Sequence, residues 1–199
     1  MRKGQWHVFL CLLLFDFIIN PQLLFSQSVP ATLTSSRVKV SNLPFAFEPS
    51  VGQAAEPNTY TARAGSIRMR FSPAGFQIMP TSPDGSFLLN AQIAGANTNT
   101  KLVTDEKTGG ESNYLLGNDS SMWKTHVPQF GRLRYQNVYP GVDLVFYGNN
   151  GRLEHDFVVQ PGGNYRAIKI RYEGQSSIHL TPEGDLAIAV GSGLLSVGR

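Results

Sequence analysis

Apolar and polar residues alternate in short runs along most of this chain, and glycine, proline, asparagine and aspartate separate the runs. Residues 67–71 give a clear instance, because their apolar side chains occupy one phase while Arg68 and Arg70 occupy the other. A period of two is typical of a strand with one buried face. The pattern predicts strands at residues 60–64, 67–71, 75–79, 87–93, 101–103, 127–135, 142–148, 152–159, 167–172, 177–180 and 186–190.

No segment after the first 28 residues has a convincing helical period, and the predicted strands are short and closely spaced. This arrangement predicts an all-β fold, an antiparallel β-sandwich-like domain over residues 43–199. Residues 104–112 are predicted to be a solvated loop. Phe45 and Phe47 are expected to pack on the sheet edge. The last turn, at 191–193, opens a strand close to the final residue, so we expect a domain truncated at its C-terminal end.

The N-terminal segment, residues 1–28, has the features of a secretory signal peptide, with a basic start and an apolar run over residues 8–15. Small residues predict cleavage after Ser28. Asp16 interrupts the apolar stretch, and a central carboxylate costs about 2.5–3.5 kcal/mol in a spanning helix. This cost disfavours the alternative of a retained membrane anchor. Residues 29–42 are polar and are expected to form a flexible leader.

The cysteine content and the net charge exclude some kinds of site and partner. Cys11 is the only cysteine, so the cleaved chain would have neither disulfides nor thiolate metal sites. The chain has 17 Lys and Arg against 14 Asp and Glu; losing Arg2, Lys3 and Asp16 with the signal leaves a net charge of +2. Because the basic residues are scattered, we expect no nucleic-acid partner. The protein is predicted to be secreted or held at the cell surface, without a stable membrane span.

Residues 130–159 read as three strands joined by turns at Pro140-Gly141 and at Asn149-Asn150-Gly151, and Asn-Gly is a strong hairpin signal. Charged residues alternate with apolar ones there and predict a ladder of salt bridges on an exposed face. Two alternatives stay open for its carboxylates: a calcium site, or a glycosidase pair formed by Glu154 and Asp156. The predicted ladder consists of Arg132, Arg134, Asp143, Glu154 and Asp156.

Aromatic residues offer a second candidate site, because an aromatic face can pack on the apolar face of a sugar ring. The predicted ligand-binding residues are Trp123, Tyr114, Asn118 and Asp119. A sugar-binding platform could also include Tyr135, Tyr139 and Tyr147, and the alternative for all of these aromatic residues is core packing. His155 lies in the apolar phase of its strand and is expected to be a hydrogen-bonded, partly buried histidine.

Three segments carry a family resemblance: FEPSVGQ (47–53), NYLLGNDSSMW (113–123) and RYQNVYPGVDLVFYGNNGRLEHDFVVQPGG (134–163). They resemble the N-terminal domain of unknown function of bacterial secreted proteins that carry beta-propeller (SBBP) repeats. The resemblance implies a domain that follows a signal peptide and precedes repeat modules. Ser50-Val51 departs from the polar, asparagine-containing form expected there. The family implies no catalytic residues.

These features predict a non-catalytic module of an exported or cell-surface bacterial protein, with a structural or ligand-binding role ahead of beta-propeller-type repeats. Its expected partners are those downstream repeats and a surface glycan or protein. The alternative is a carbohydrate-binding or carbohydrate-processing domain. We expect no enzyme and no resident cofactor, because the histidines are dispersed and no G-x-S-x-G motif is present.

Overall fold

A computed structural model describes residues 7–11, 45–52, 55–81, 87–97, 99–149 and 151–198. Within these residues the chain forms fourteen strands and two single-turn 3₁₀ helices, at Ser120–Met122 and Tyr165–Ala167. None of the described helices is long and apolar enough to cross a membrane. The strands are β1 (His7–Cys11), β2 (Phe47–Pro49), β3 (Tyr60–Ala64), β4 (Ile67–Ser72), β5 (Gly75–Pro80), β6 (Leu89–Ile93), β7 (Lys101–Tyr114), β8 (Lys124–Tyr139), β9 (Val142–Asn149), β10 (Arg152–Val159), β11 (Ile170–Glu173), β12 (Ser177–Leu180), β13 (Leu186–Val190) and β14 (Gly193–Val197).

The strands form two antiparallel sheets. The larger has the order β1-β10-β9-β8-β2-β3-β4-β5-β6-β11, and β7 pairs with β8 outside this path. The smaller has the order β12-β13-β14. The predicted all-β, antiparallel class is therefore confirmed.

The large sheet curls so that strands far apart in its order share one core. Phe71 of β4 packs its ring edge against Phe146 of β9, with centroids 5.0 Å apart, although β3, β2 and β8 separate the two strands. Phe76 of β5 meets the same ring at 5.2 Å. The small sheet joins this core through Ile188 and Leu195, which are fully buried. The curled large sheet and the small sheet therefore contribute side chains to one shared hydrophobic core.

The three strands predicted within residues 130–159 are present as the second half of β8, β9 and β10, and their turns fall where expected. Tyr135 and Tyr139 of β8 are core residues. The Tyr135 hydroxyl donates to the Gly75 carbonyl at 3.0 Å, and the Tyr139 hydroxyl donates to the Ala94 carbonyl at 2.8 Å. Both bonds tie β8 to the opposite part of the curled sheet.

Three local predictions are wrong. Residues 104–112 are not a loop but the middle of β7, which is solvent-exposed and is held by its pairing with β8. Ala167 does not begin a strand, because the Asn164 side chain accepts from the Arg166 amide at 3.1 Å and caps a 3₁₀ turn. Phe47 does not lie at a sheet edge, since β2 sits between β8 and β3 and the Phe47 side chain is fully buried.

The predicted leader, residues 29–42, and most of the predicted signal peptide lie outside the described residues. The exception is β1, which pairs with the outer edge of β10 from His7 opposite Val159 to Cys11 opposite His155. Signal cleavage and C-terminal truncation stay predictions.

Candidate functional site: an arginine-lined groove

Three arginines lie together on the face of β3 and β4 that points away from the core. β4 alternates strictly, so Met69 is buried while Arg68 and Arg70 face outward. The two-residue turn Gly65-Ser66 joins β3 to β4, with Gly65 at φ +55°, and it places Arg63 directly opposite Arg68. Sequence alternation and turn length together therefore bring three guanidinium groups onto neighbouring positions.

These side chains line an open groove of about 500 Å³, which we call the arginine groove. Gln77 and Met79 of β5 continue its floor, since they pair with Arg70 and Arg68. The rest of the lining comes from two segments that are distant from β3–β5 along the chain. The groove is defined by Ser50, Arg63, Arg68, Arg70, Gln77, Met79, Tyr114 and Leu116.

Positive charge in the groove is poorly balanced. Like charges directly across a strand pair are destabilising, and Arg63 and Arg68 form such a pair. Among the described residues neither makes an ion pair, and Arg70 alone approaches a carboxylate, with its Nη2 3.2 Å from Glu56 Oε2. Glu56 is largely exposed, so this contact screens little of the charge.

Several polar groups of the groove also lack partners. Arg68 Nε, Arg70 Nη2 and Ser50 Oγ are buried atoms without a hydrogen bond in the described part of the chain. The contact between Arg70 and Glu56 does not have hydrogen-bond geometry. Buried donors are normally paired with protein or with ordered water, so these guanidinium N–H groups are positioned to donate to water or to an acceptor on a ligand.

Tyr114 lines one side of the groove, and Glu48 holds its hydroxyl. The Tyr114 hydroxyl donates to Glu48 Oε2 at 2.6 Å. Burial raises the pKa of Tyr114 to about 12, and the Glu48 hydrogen bond and charge add to the rise. Arg63 and Arg68 act in the opposite direction on this pKa, which places their charges near the Tyr114 hydroxyl. Glu48 also accepts from Gln129 Nε2 at 3.4 Å, so both of its carboxylate oxygens have hydrogen-bond partners other than the arginines.

The four predicted ligand-binding residues lie at the end of the β7–β8 hairpin. Tyr114 lines the arginine groove. Trp123 is 38 % exposed, and its Nε1 donates to the Gly117 carbonyl at 3.2 Å. Asn118 is an exposed turn residue, whereas Asp119 accepts from the amide and hydroxyl of Ser121, which lower the pKa of its carboxyl.

The five residues of the predicted charge ladder share one face of β8, β9 and β10, but Glu154 is buried rather than exposed, and among the described residues the five do not form one series of ion pairs. Arg132 Nε pairs with Glu106 of β7 at 2.9 Å, and Arg134 Nη1 lies 3.3 Å from Asp143. On β10, Glu154 accepts from Asn149 and Asp156 accepts from the Tyr147 hydroxyl, at 2.9 and 3.1 Å. Burial raises the pKa of the Asp156 carboxyl, against the opposing effect of the Tyr147 hydrogen bond. No described group of three His, Cys, Asp or Glu residues is placed to hold a metal ion.

His155 differs from its predicted environment. Its side chain is fully buried, it stacks on Phe146 and meets Phe157 edge-on, and its Nδ1 has no hydrogen bond among the described residues. It is therefore more deeply buried than predicted, and the prediction of a hydrogen bond fails for Nδ1 among the described residues.

The arginine groove itself was missed by sequence reasoning. The outward phase of Arg68 and Arg70 is evident in the sequence, and the Gly65-Ser66 turn could have added Arg63 opposite them. Ser50 and Tyr114 join through contacts distant along the chain, so no local signal marks them.

A family profile described as a domain of unknown function, DUF7948, matches residues 47–197. The chain belongs to the DUF7948 family. The matched span begins with β2 and ends with β14, so the DUF7948 domain includes the whole arginine groove, the small sheet and every described strand of the large sheet except β1. No curated protein and no solved structure matches the chain.

Proposed function

We propose that this DUF7948 domain is a non-catalytic binding module whose arginine groove holds a ligand carrying carboxylate, sulfate or phosphate groups. One observation carries the proposal: Arg63 and Arg68 are opposed across β3 and β4 with no carboxylate paired to either among the described residues. An oxyanion between them would relieve their repulsion. It would also accept from the buried Arg68 Nε, which lacks a partner.

Guanidinium chemistry suits such a ligand. The planar fork of arginine donates two parallel hydrogen bonds to one carboxylate, sulfate or phosphate, and these charge-assisted bonds are stronger than neutral ones. Ser50 and Gln77 supply neutral hydrogen-bonding groups beside the charges. The groove is open to solvent, so a ligand can enter it without rearrangement of the sheet.

We further propose that the domain belongs to an exported or cell-surface bacterial protein, placed between a signal peptide and beta-propeller-type repeats. The basic start and apolar run of residues 1–28 support export. The motifs of residues 47–53, 113–123 and 134–163 support the repeat architecture through their resemblance. In this setting the module would act outside the cytoplasm, with the downstream repeats as partners in the same chain.

The binding proposal is tested by titrating the protein with sulfate and with phosphate while following backbone amide shifts by NMR. Amides of β3, β4 and β5 around the groove should shift in a saturable way. Arg68→Gln should weaken binding tenfold or more, because a charge-assisted hydrogen-bond partner is worth about 1.5–3 kcal/mol. The matched control is Arg152→Gln, which removes the same charge from an exposed position on β10.

Two outcomes of this titration would contradict the binding proposal. Equal weakening by Arg68→Gln and by Arg152→Gln would mean a diffuse charge effect and would contradict a defined site. Absence of any saturable shift in the wild-type protein would contradict it as well.

A further inference from the structure

The hairpin tip, residues 115–123 between β7 and β8, exposes an unusual amount of apolar surface. Single exposed apolar residues are ordinary, whereas a contiguous group marks an interaction surface. Four large apolar side chains are exposed within these nine positions: Leu115, Leu116, Met122 and Trp123. Leu116 is the most exposed of them, at 73 %.

The hairpin tip is held in a defined shape. Asp119 caps the 3₁₀ turn by accepting from the Ser121 amide at 2.9 Å and from its hydroxyl at 2.7 Å. The Trp123 indole is anchored by its Nε1 to the Gly117 carbonyl. A fixed aromatic side chain loses little conformational entropy when a ligand packs on it, so the tip is prepared for contact rather than left mobile.

The hairpin tip and the arginine groove form one surface. Tyr114 and Leu116 line the groove, and Leu116 is followed directly by Gly117, the anchor of the Trp123 indole. A ligand seated against Arg63 and Arg68 that extends past Leu116 therefore reaches Trp123. The combined surface offers cations at one end and an aromatic ring at the other.

The spread of the cations favours several anions on one ligand. Arg68 and Arg70 are two positions apart on one strand, so their Cα atoms are about 6.5–7 Å apart, and Arg63 lies on the neighbouring strand. A chain of repeating anionic units can place separate groups at separate guanidiniums, and the linked contacts then strengthen one another.

We propose that the ligand is a linear acidic polysaccharide, with carboxylate or sulfate groups at Arg63, Arg68 and Arg70 and the apolar face of a sugar ring on Trp123. This inference rests on the proposed function of the arginine groove and names its ligand class. A lipid membrane also presents anions beside apolar groups, but its headgroups form a broad flat surface, whereas Arg63, Arg68 and Arg70 line a groove that a single extended chain can enter.

Two variants distinguish this inference from the proposal it rests on. The full-length protein is titrated by calorimetry with polygalacturonate, dextran sulfate and neutral dextran, and by NMR with inorganic sulfate. Trp123→Ala should weaken binding of an acidic polymer about 3- to 10-fold, because an aromatic contact is worth about that factor, and should leave sulfate binding unchanged. Arg68→Gln should weaken both.

Tyr165→Ala, which removes another exposed aromatic ring, is the matched control and should leave polymer binding unchanged. If Trp123→Ala leaves the affinity for acidic polymers unchanged, this inference is overturned, while the proposed function of the arginine groove still stands. Equal binding of neutral dextran, or tighter binding to vesicles of anionic lipid than to either acidic polymer, would also overturn it. If neither sulfate nor the acidic polymers bind, both this inference and the proposed function of the arginine groove are contradicted.

Discussion

At the scale of single residues, His155 shows how burial sets the chemistry of a side chain. It is enclosed by Phe146 and Phe157, whose rings offer no partner for a charged imidazole. Burial lowers the pKa of His155 from 6.5 to about 4. In the unfolded chain the same group would titrate near its ordinary value, so folding excludes a proton from it.

This depressed pKa predicts a loss of stability in mild acid. Between pH 6.5 and 4 the unfolded chain binds a proton at His155 and the folded chain does not, so the free energy of unfolding falls as the pH falls. The loss amounts to about 3 kcal/mol across that window. Urea unfolding at pH 7, 5.5 and 4.5 measures it, and His155→Leu should flatten the dependence. His179→Gln, at an exposed position, should retain it; identical pH slopes for wild type and His155→Leu would contradict the assignment.

At the scale of elements, the position of β2 in the large sheet depends on a glycine of β9. Gly148 of β9 has no side chain, and a Cβ built there would overlap the Cβ of Phe45. Phe45 in turn packs its ring on Phe47 at 5.3 Å, and Phe47 anchors β2 in the core. The absence of a side chain at Gly148 thus sets where the chain enters the large sheet.

Gly148→Ala should therefore destabilise the protein by about 1–3 kcal/mol, the usual cost of forcing extra volume into a packed core. The cause is steric overlap rather than backbone strain, because Gly148 is not among the positive-φ glycines. Chemical denaturation measures the change. In a Phe45→Ala background the same substitution should cost much less, since the overlapping group is gone. Additive losses in the double variant would show that Phe45 is not the obstacle.

Elements with an apolar phase could be predicted from the sequence, and elements without one could not. β4 and β10 have a clear buried face, and their predicted ranges match closely. β7 carries Asp105, Glu106 and Lys107 in succession and has no apolar period there. Its strand conformation comes from pairing with β8, including a register shift between Lys107 and Glu111. Such charges also protect an exposed edge from pairing with other chains.

The same limit applies to the candidate site. Outward positions on a strand follow from alternation, so Arg68 and Arg70 could be assigned to one face. The hydrogen bond from Tyr114 to Glu48 joins residues 66 positions apart and depends on how the large sheet curls. Local patterns contain no information about that curvature, and the groove formed by it became visible only in three dimensions.

At the scale of the whole molecule, one core links the two sheets. The ring contact of Phe71 with Phe146 brings two distant parts of the large sheet together, and buried side chains of β13 and β14 belong to the same hydrophobic cluster. Neither sheet has a separate core of its own in the described chain. We therefore expect the two sheets to unfold together in a single transition.

β14 offers a sharp test of this coupling, because two adjacent leucines point to opposite faces. Leu195 is fully buried, whereas Leu194 is 41 % exposed. Leu195→Ala should cost about 2–4 kcal/mol through lost burial and the cavity left behind, and Leu194→Ala should stay within about 0.5 kcal/mol. The other tryptophan, Trp6, lies in the predicted signal peptide; with Trp6→Phe, Trp123 fluorescence reports on the β7–β8 hairpin of the large sheet. If the sheets are coupled, Leu195→Ala lowers the unfolding midpoint seen by Trp123 as much as the midpoint seen by far-ultraviolet circular dichroism. A Trp123 midpoint that stays at its wild-type value would mean that the small sheet unfolds independently.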